Sequence, residues 1–219
     1  APAANATITE ADADKALREE LKEIDKKVNN FAAAHNKNFT QSQHDALVSF
    51  SYNVGWGWMS QLNYRITKAV DPSRPCIDVS GGYHVESDIY DVHDYEQDTE
   101  EFHSHYTALP GTDIFDRLAP RQKYTGGIFF VSEYGGIGWS VDDSGWSYGQ
   151  GPKTEEEFKE RFKALTDTLL DNPYIFGMCY TQLTNVEQEQ NGLYTYDRQA
   201  KFDPEWVKSV MSRKAAIED

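Results

Sequence analysis

From about residue 76 onward the sequence alternates short apolar runs with longer stretches of helical spacing, and this alternation restricts the possible folds more than any other feature. Residues 76–79, 88–92, 127–131 and 175–180 read as four strands, each followed by Gly or polar residues. Between the last two, Thr154-Glu155-Glu156-Glu157 is a capping-box pattern, and Phe158, Phe162, Leu165 and Leu169 follow at helical spacing until Asn172-Pro173 stops the run. Asp203-Pro204 opens a last helix, with Asp as cap and Pro at the first helical position. Strand then helix, repeated, implies an α/β fold with a parallel sheet of βα units. In such sheets the chemistry sits at the carboxyl ends of the strands.

The first 60 residues follow a different rule. Thr7 and Thr9 can cap a helix in which Leu17, Leu21, Ile24, Val28 and Phe31 recur at spacings of 4, 3, 4 and 3. A polar connector over 35–38 leads to Thr40-Gln41-Ser42-Gln43, a second capping box. Leu47, Phe50 and Val54 then extend an apolar face until Gly55 and Gly57 break it. Two helices are expected here, so the chain divides into a helical segment over 1–59 and a βα region over 60–219.

Charge narrows the partners. With 36 Asp and Glu against 21 Lys and Arg the formal charge is −15, which repels phosphate backbones and anionic membrane surfaces. A neutral or cationic partner fits better, and neither nucleic acid nor a membrane is expected. No apolar run approaches the roughly 18 residues that would suggest a membrane span. The 13 Tyr, 11 Phe and 5 Trp are numerous enough either to fill a core or to face sugar rings. Cys76 and Cys179 lie far apart in apolar stretches, where buried free thiols are expected rather than a disulfide framework or a zinc motif.

Three clusters stand where chemistry is expected. Ser132-Glu133-Tyr134-Gly135-Gly136 directly follows the third strand. Glu133 is either a carboxylate presented at a pocket floor or a turn carboxylate bonded to nearby amides. Asp91-Val92-His93-Asp94-Tyr95-Glu96 ends the second strand, and His93 could bond a substrate. Together with His84, His103 and His105 it forms no two-His-plus-carboxylate spacing of a known kind, so neither metal nor other cofactor is expected. The polar stretch from Tyr180 through Gln182, Asn185, Glu187 and Asn191 reads as a binding loop or a solvated one. Ser132 lacks a Gly-x-Ser-x-Gly elbow, which argues against a serine hydrolase. The glycines near Gly135 lack nucleotide-binding spacing. Asn5-Ala6-Thr7 and Asn38-Phe39-Thr40 match the glycosylation sequon, a common chance pattern.

Several of these motifs, in order, resemble the barrel domain of glycoside hydrolase family 2, which includes β-galactosidases and β-glucuronidases. They are Asp71-Pro-Ser-Arg-Pro75, Asp88-Ile-Tyr-Asp-Val-His-Asp-Tyr95, Phe130-Val-Ser-Glu-Tyr-Gly-Gly136, Tyr180-Thr-Gln-Leu-Thr-Asn-Val-Glu-Gln-Glu189 and Asn191-Gly-Leu-Tyr-Thr-Tyr-Asp197. The resemblance implies a half TIM barrel of about four βα units and a carbohydrate partner bearing a β-glycosidic bond. By the same resemblance Glu133 is the catalytic nucleophile of a retaining exo-β-glycosidase. His93, Tyr95, Tyr134, Tyr180, Gln182, Asn185 and Glu187 then line the substrate pocket.

Ile8-Thr-Glu-Ala-Asp-Ala13 and Phe39-Thr-Gln-Ser-Gln-His-Asp-Ala-Leu-Val-Ser-Phe-Ser-Tyr-Asn-Val-Gly55 are similar instead to the helical lobe of phage-type lysozymes, over about residues 7 to 58. The catalytic Glu of that family has no counterpart here. Where family 2 enzymes carry an Asn-Glu acid/base before a Trp-Gly, this chain reads Asn53-Val54-Gly55-Trp56-Gly57, and Val cannot donate a proton. A chimera, catalytically impaired or binding carbohydrate without cleaving it, is the alternative reading, with lysozyme-type cell-wall hydrolysis a further one. At 219 residues the chain is short for a whole family 2 enzyme. A half barrel also leaves two open sheet edges, which helices or a second copy could cover.

Overall fold

The computed structural model describes residues 9–34, 36–54, 57–119, 122–139, 146 and 148–219. The chain divides into two compact units, Ala1–Met59 and Ser60–Asp219. Among the described residues no helix is long and apolar enough to cross a membrane. Thr7, the 5–7 sequon, His35 and the Gly55-Trp56 pair lie outside the described residues, as does the side chain of Val54.

In the first unit, α1 (Glu10–Ala34) carries the expected stripe, buried at Ile24 and Val28 and fraying to exposure at Leu17. Asn36 takes a left-handed conformation that ends the helix, and the Lys37 amide returns to Ala32 O at 2.8 Å. The Thr40 capping box forms reciprocally: the Thr40 amide donates to Gln43 Oε1 at 3.0 Å, and the Gln43 amide donates to Thr40 Oγ1 at 3.3 Å. It opens α2 (Gln41–Val54), which packs on α1.

A helix the sequence reading did not anticipate, α3 (Gly57–Val70), starts at the glycine taken as a breaker. Glycine disfavours a helix interior but costs little at its start. The later part of α3 belongs to the second unit: Tyr64 and Lys68 bond Asp88 at 2.8 and 2.9 Å, and Arg65 pairs with Glu86 at 3.0 Å.

The second unit is built on three parallel strands in the order β1 (Ile89–Asp94), β2 (Ile128–Gly135), β3 (Ile175–Thr181). The expected strand over 76–79 is a loop. Asp88 ties it down, its carboxylate accepting the Cys76 amide at 2.9 Å and its own amide donating to Cys76 O at 3.0 Å, while the Asp78 carboxylate accepts the Val85 and Glu86 amides at 2.7 and 3.3 Å. Local carboxylates thus bond amides that a ladder would otherwise use. The α/β fold with a parallel sheet is as expected, with three strands among the described residues in place of four, and these form a sheet rather than a closed barrel.

Helices α4 (Thr99–Ser104), α5 (Glu155–Leu170) and α6 (Pro204–Met211) supply the core. Thr154 caps α5 by accepting the Glu157 amide at 3.1 Å, while Glu157 reaches back to the Lys153 amide at 2.7 Å. Asp203 caps α6 as its Asp-Pro pair predicts. The stripe Phe158, Phe162, Leu165 and Leu169 is buried, packing with Phe129, Val131, Tyr134 and Phe102 in one core cluster. The other sheet face exposes Ile128 and Phe176. Cys179 is exposed too and Cys76 half-buried, which corrects the expectation of two buried thiols.

Candidate functional site

A parallel sheet gathers the carboxyl ends of its strands at one edge, so residues 93–95, 133–136 and 180–182 meet although far apart in sequence. Their side chains are aimed by a bulge. Val92 pairs with Val131, but His93 pairs with Glu133, so β2 carries one extra residue at Ser132. Strict alternation from Val131 would send Glu133 to the core face and Tyr134 to the site face. The bulge exchanges them. Tyr134 becomes fully buried, its hydroxyl 2.8 Å from Thr166 Oγ1, while Glu133 is about one-third exposed.

The Glu133 carboxylate is held through one oxygen. Oε2 accepts the Tyr95 hydroxyl, and His93 Nδ1 lies 3.2 Å from the same atom. Burial and the bond to Glu133 push the Tyr95 hydroxyl well above its ordinary range, so it remains a protonated donor. Tyr95 is braced by Tyr148, the rings stacked at 3.6 Å and 5°. Gly136 makes room for that stack: with φ +60°, a Cβ there would lie 2.3 Å from Tyr148 and 2.9 Å from Tyr95. Trp146, exposed, packs edge-on against Tyr148 at 4.7 Å.

Beneath this cluster lies a buried charge network. Asp91 accepts the Ser132 hydroxyl and, at 2.9 Å, the Gly81 amide. His84 stands between two carboxylates, 2.7 Å from Asp78 and 3.0 Å from Asp91. Burial alone would lower the His84 pKa, but the bonds to Asp78 and Asp91 outweigh it and raise it to about 10. Burial likewise works to raise both carboxyls, and His84 with the neighbouring donors holds them below the ordinary carboxylate range. His84 is therefore a structural cation. His105 is bound to Asp94, 2.7 Å from Nδ1, on the helix-covered side.

The structure thus brings Glu133, His93 and Tyr95 together. Tyr134 and Tyr180 are core residues, in edge-to-face contact at 5.6 Å. The loop residues bond within their own loop: Gln182 Nε2 donates to Asn191 Oδ1 at 2.7 Å, and Asn185 Oδ1 accepts the Gly192 amide at 3.1 Å. Glu187 is exposed at φ 49° in the turn between Val186 and Glu189. Sequence reasoning missed Ser80, whose Oγ lies 3.0 Å from His93 Nε2, and Tyr148. The adjoining Gly81-Gly82 was the available signal for a close approach at Ser80.

A phage lysozyme family model matches residues 2–74, roughly a third of the chain. The match extends past residue 58 and takes in α3. Similar solved structures include three β-glucuronidases. That of Bifidobacterium dentium, complexed with coumarin-3-O-glucuronide, is 17% identical over 58% of this chain and 21% of that one, with a TM-score of 0.40. That of Bacteroides uniformis is 16% identical over 77% and 21%, at 0.46. That of Faecalibacterium prausnitzii is 15% identical over 88% and 35%, at 0.47. The chain thus spans only 21% to 35% of the length of these structures. No curated protein matches the chain by sequence.

Proposed function

We propose that the second unit carries the nucleophile side of a retaining β-glycosidase site acting at the non-reducing end of a small sugar. The observation that carries this reading is the Glu133 carboxylate near the end of β2, its Oε2 accepting the Tyr95 hydroxyl with His93 Nδ1 3.2 Å away. Among the described residues no partner is bonded to Oε1, which leaves that oxygen to attack an anomeric carbon. The Tyr95 bond to one oxygen orients the carboxylate plane. A covalent glycosyl-enzyme then forms and water releases it.

Retaining cleavage uses a second carboxyl about 5–5.5 Å from the first. The sequence supplies Val54 where the resemblance expects that acid. Aryl glycosides, whose leaving groups need no protonation, are then cleaved far better than alkyl glycosides. A panel of 4-nitrophenyl β-galactoside and β-glucuronide, run on the wild type and on Glu133→Gln, tests the assignment. Turnover unaffected by the substitution overturns it.

The lysozyme family match favours a second reading for the first part of the chain, a helical module derived from a cell-wall hydrolase. Clearing of a peptidoglycan suspension, retained in Glu133→Gln, would give it an activity of its own. The exposed Phe176 and the edge position of β3 support pairing of two copies through this edge. Light scattering of wild type and Phe176→Lys tests the pairing: a dimer reduced to a monomer supports it, and a wild-type monomer rejects it.

A further inference from the structure

Ser80, His93 and Glu133 stand in line. Ser80 Oγ is 3.0 Å from His93 Nε2, and His93 Nδ1 is 3.2 Å from Glu133 Oε2. The carboxylate decides the tautomer. Its negative charge stands beside Nδ1 and favours the hydrogen there, which leaves a bare Nε2 facing the serine. Ser80 then donates to Nε2. When the ring takes up a second proton, Nε2–H donates to Ser80, whose hydrogen turns to Ser132 Oγ at 3.3 Å. The serine hydrogen therefore has a base and an alternative acceptor, both within reach.

The close approach is built into the backbone. Gly81 has φ +57°, and a Cβ there would lie 2.3 Å from the His93 ring, so only glycine lets this turn press Ser80 against the imidazole. The turn is pinned on both sides, by the Gly81 amide to Asp91 at 2.9 Å and by Arg117 Nη2 to Gly81 O at 2.7 Å. Ser80 itself is exposed, and His93 keeps 13% of its side chain open. A nucleophile hydrogen-bonded to a base, with a carboxylate 3.2 Å from the base's other nitrogen, is the succession of groups used in acyl transfer, and it needs no particular order or elbow in the chain. Ser132, the serine without an elbow, is itself bonded to Asp91.

We propose that this chain hydrolyses small uncharged carboxylic esters, with Ser80 as nucleophile, His93 as general base and Glu133 as positioning residue. Ser80 Oγ bonds to the carbonyl carbon as its proton passes to His93 Nε2. The bond from that carbon to the alcohol oxygen breaks, and the departing alkoxide takes the proton from Nε2. Water then attacks the acyl-serine, giving one proton to Nε2. Ser80 leaves, recovers that proton, and a carboxylic acid is released. Asp78, Asp91 and Glu133 around the turn disfavour anionic acyl groups, which is why the substrate class is uncharged.

The full chain is treated with a fluorophosphonate, digested and analysed by mass spectrometry, and its turnover of 4-nitrophenyl acetate is followed in parallel. One adduct is expected, on the peptide containing Ser80. Ser80→Ala should lower kcat/KM for the acetate at least about 100-fold. In Glu133→Gln the amide can donate to Nδ1 and reverse the tautomer, so kcat should fall while KM stays within about twofold, which a loss of fold would not produce. An adduct on another residue, no adduct on the wild type, or a wild-type rate in Ser80→Ala overturns the proposal. The labelling reagent contains no sugar, so its failure leaves the glycosidase reading of Glu133 standing, and the reverse also holds.

Discussion

The two faces of the small sheet are made of the same three strands and held by opposite means. Toward the helices the face is apolar, with Phe129, Val131, Tyr134 and Ile175 packed under Phe158, Phe162 and Leu165. Toward the other side it carries Asp91, Ser132 and His93, tied to the 76–88 loop by His84 and the Gly81 amide. The first face is stabilised by area removed from water, the second by charges that must stay paired. The function proposed above uses the second face and its carboxyl edge, because preorganised polar groups there surround a carboxylate and an imidazole that a greasy face could only bury.

This contrast can be broken from either side. Phe162→Ala removes a fully buried ring at the centre of the apolar face and should cost about 3–5 kcal/mol, read as a lowered urea midpoint at unchanged slope. His84→Ala should cost about 3 kcal/mol, because it leaves Asp78 and Asp91 buried without their cation.

The pH dependence separates the two faces further. His84 has a folded pKa of about 10, above its ordinary 6.5, so its contribution is fully present below 6.5 and is lost as the pH rises through 10. Asp78 and Asp91 are held below their ordinary 3.8, so theirs is present above that value and lost on further acidification. Thermal melts of the wild type should therefore show a fall between about pH 6.5 and 10 that His84→Ala removes, and a second fall on acidification below about pH 4. Phe162→Ala should lower the whole curve without changing that shape.

Smaller effects sharpen the picture. Gly136→Ala meets Tyr148 and a left-handed backbone, and should cost about 1–3 kcal/mol while raising KM for an aryl glycoside more than it lowers kcat. Thr154→Ala removes the α5 cap, whose hydroxyl accepts the Glu157 amide, for about 1 kcal/mol and should leave KM alone.

The apolar face was the legible one. Period and capping residues are local signals, so α5, α6, the α2 cap and all three observed strands stood in the sequence to within a few residues. Residues 76–79 misled because Asp78 and Asp88 bond amides far along the chain, which no local pattern records. The missed α3 followed from reading Gly57 as an end rather than a start. At the site, Glu133, His93 and Tyr95 were legible from strand ends. Tyr134 was not, since a single bulged residue at Ser132 reverses which side chains point inward. Ser80 and Tyr148 reach the site from separate loops, and only the folded backbone brings them there.

The central claim is that Glu133 is the nucleophile of this polar edge. A 2-deoxy-2-fluoro aryl β-glycoside, incubated with the full chain and followed by peptide mass spectrometry, tests it most directly. The account predicts a single glycosyl adduct on Glu133, formed in the wild type and absent from Glu133→Gln. An adduct on any other residue, or cleavage of the parent aryl glycoside at full rate in Glu133→Gln, would contradict it.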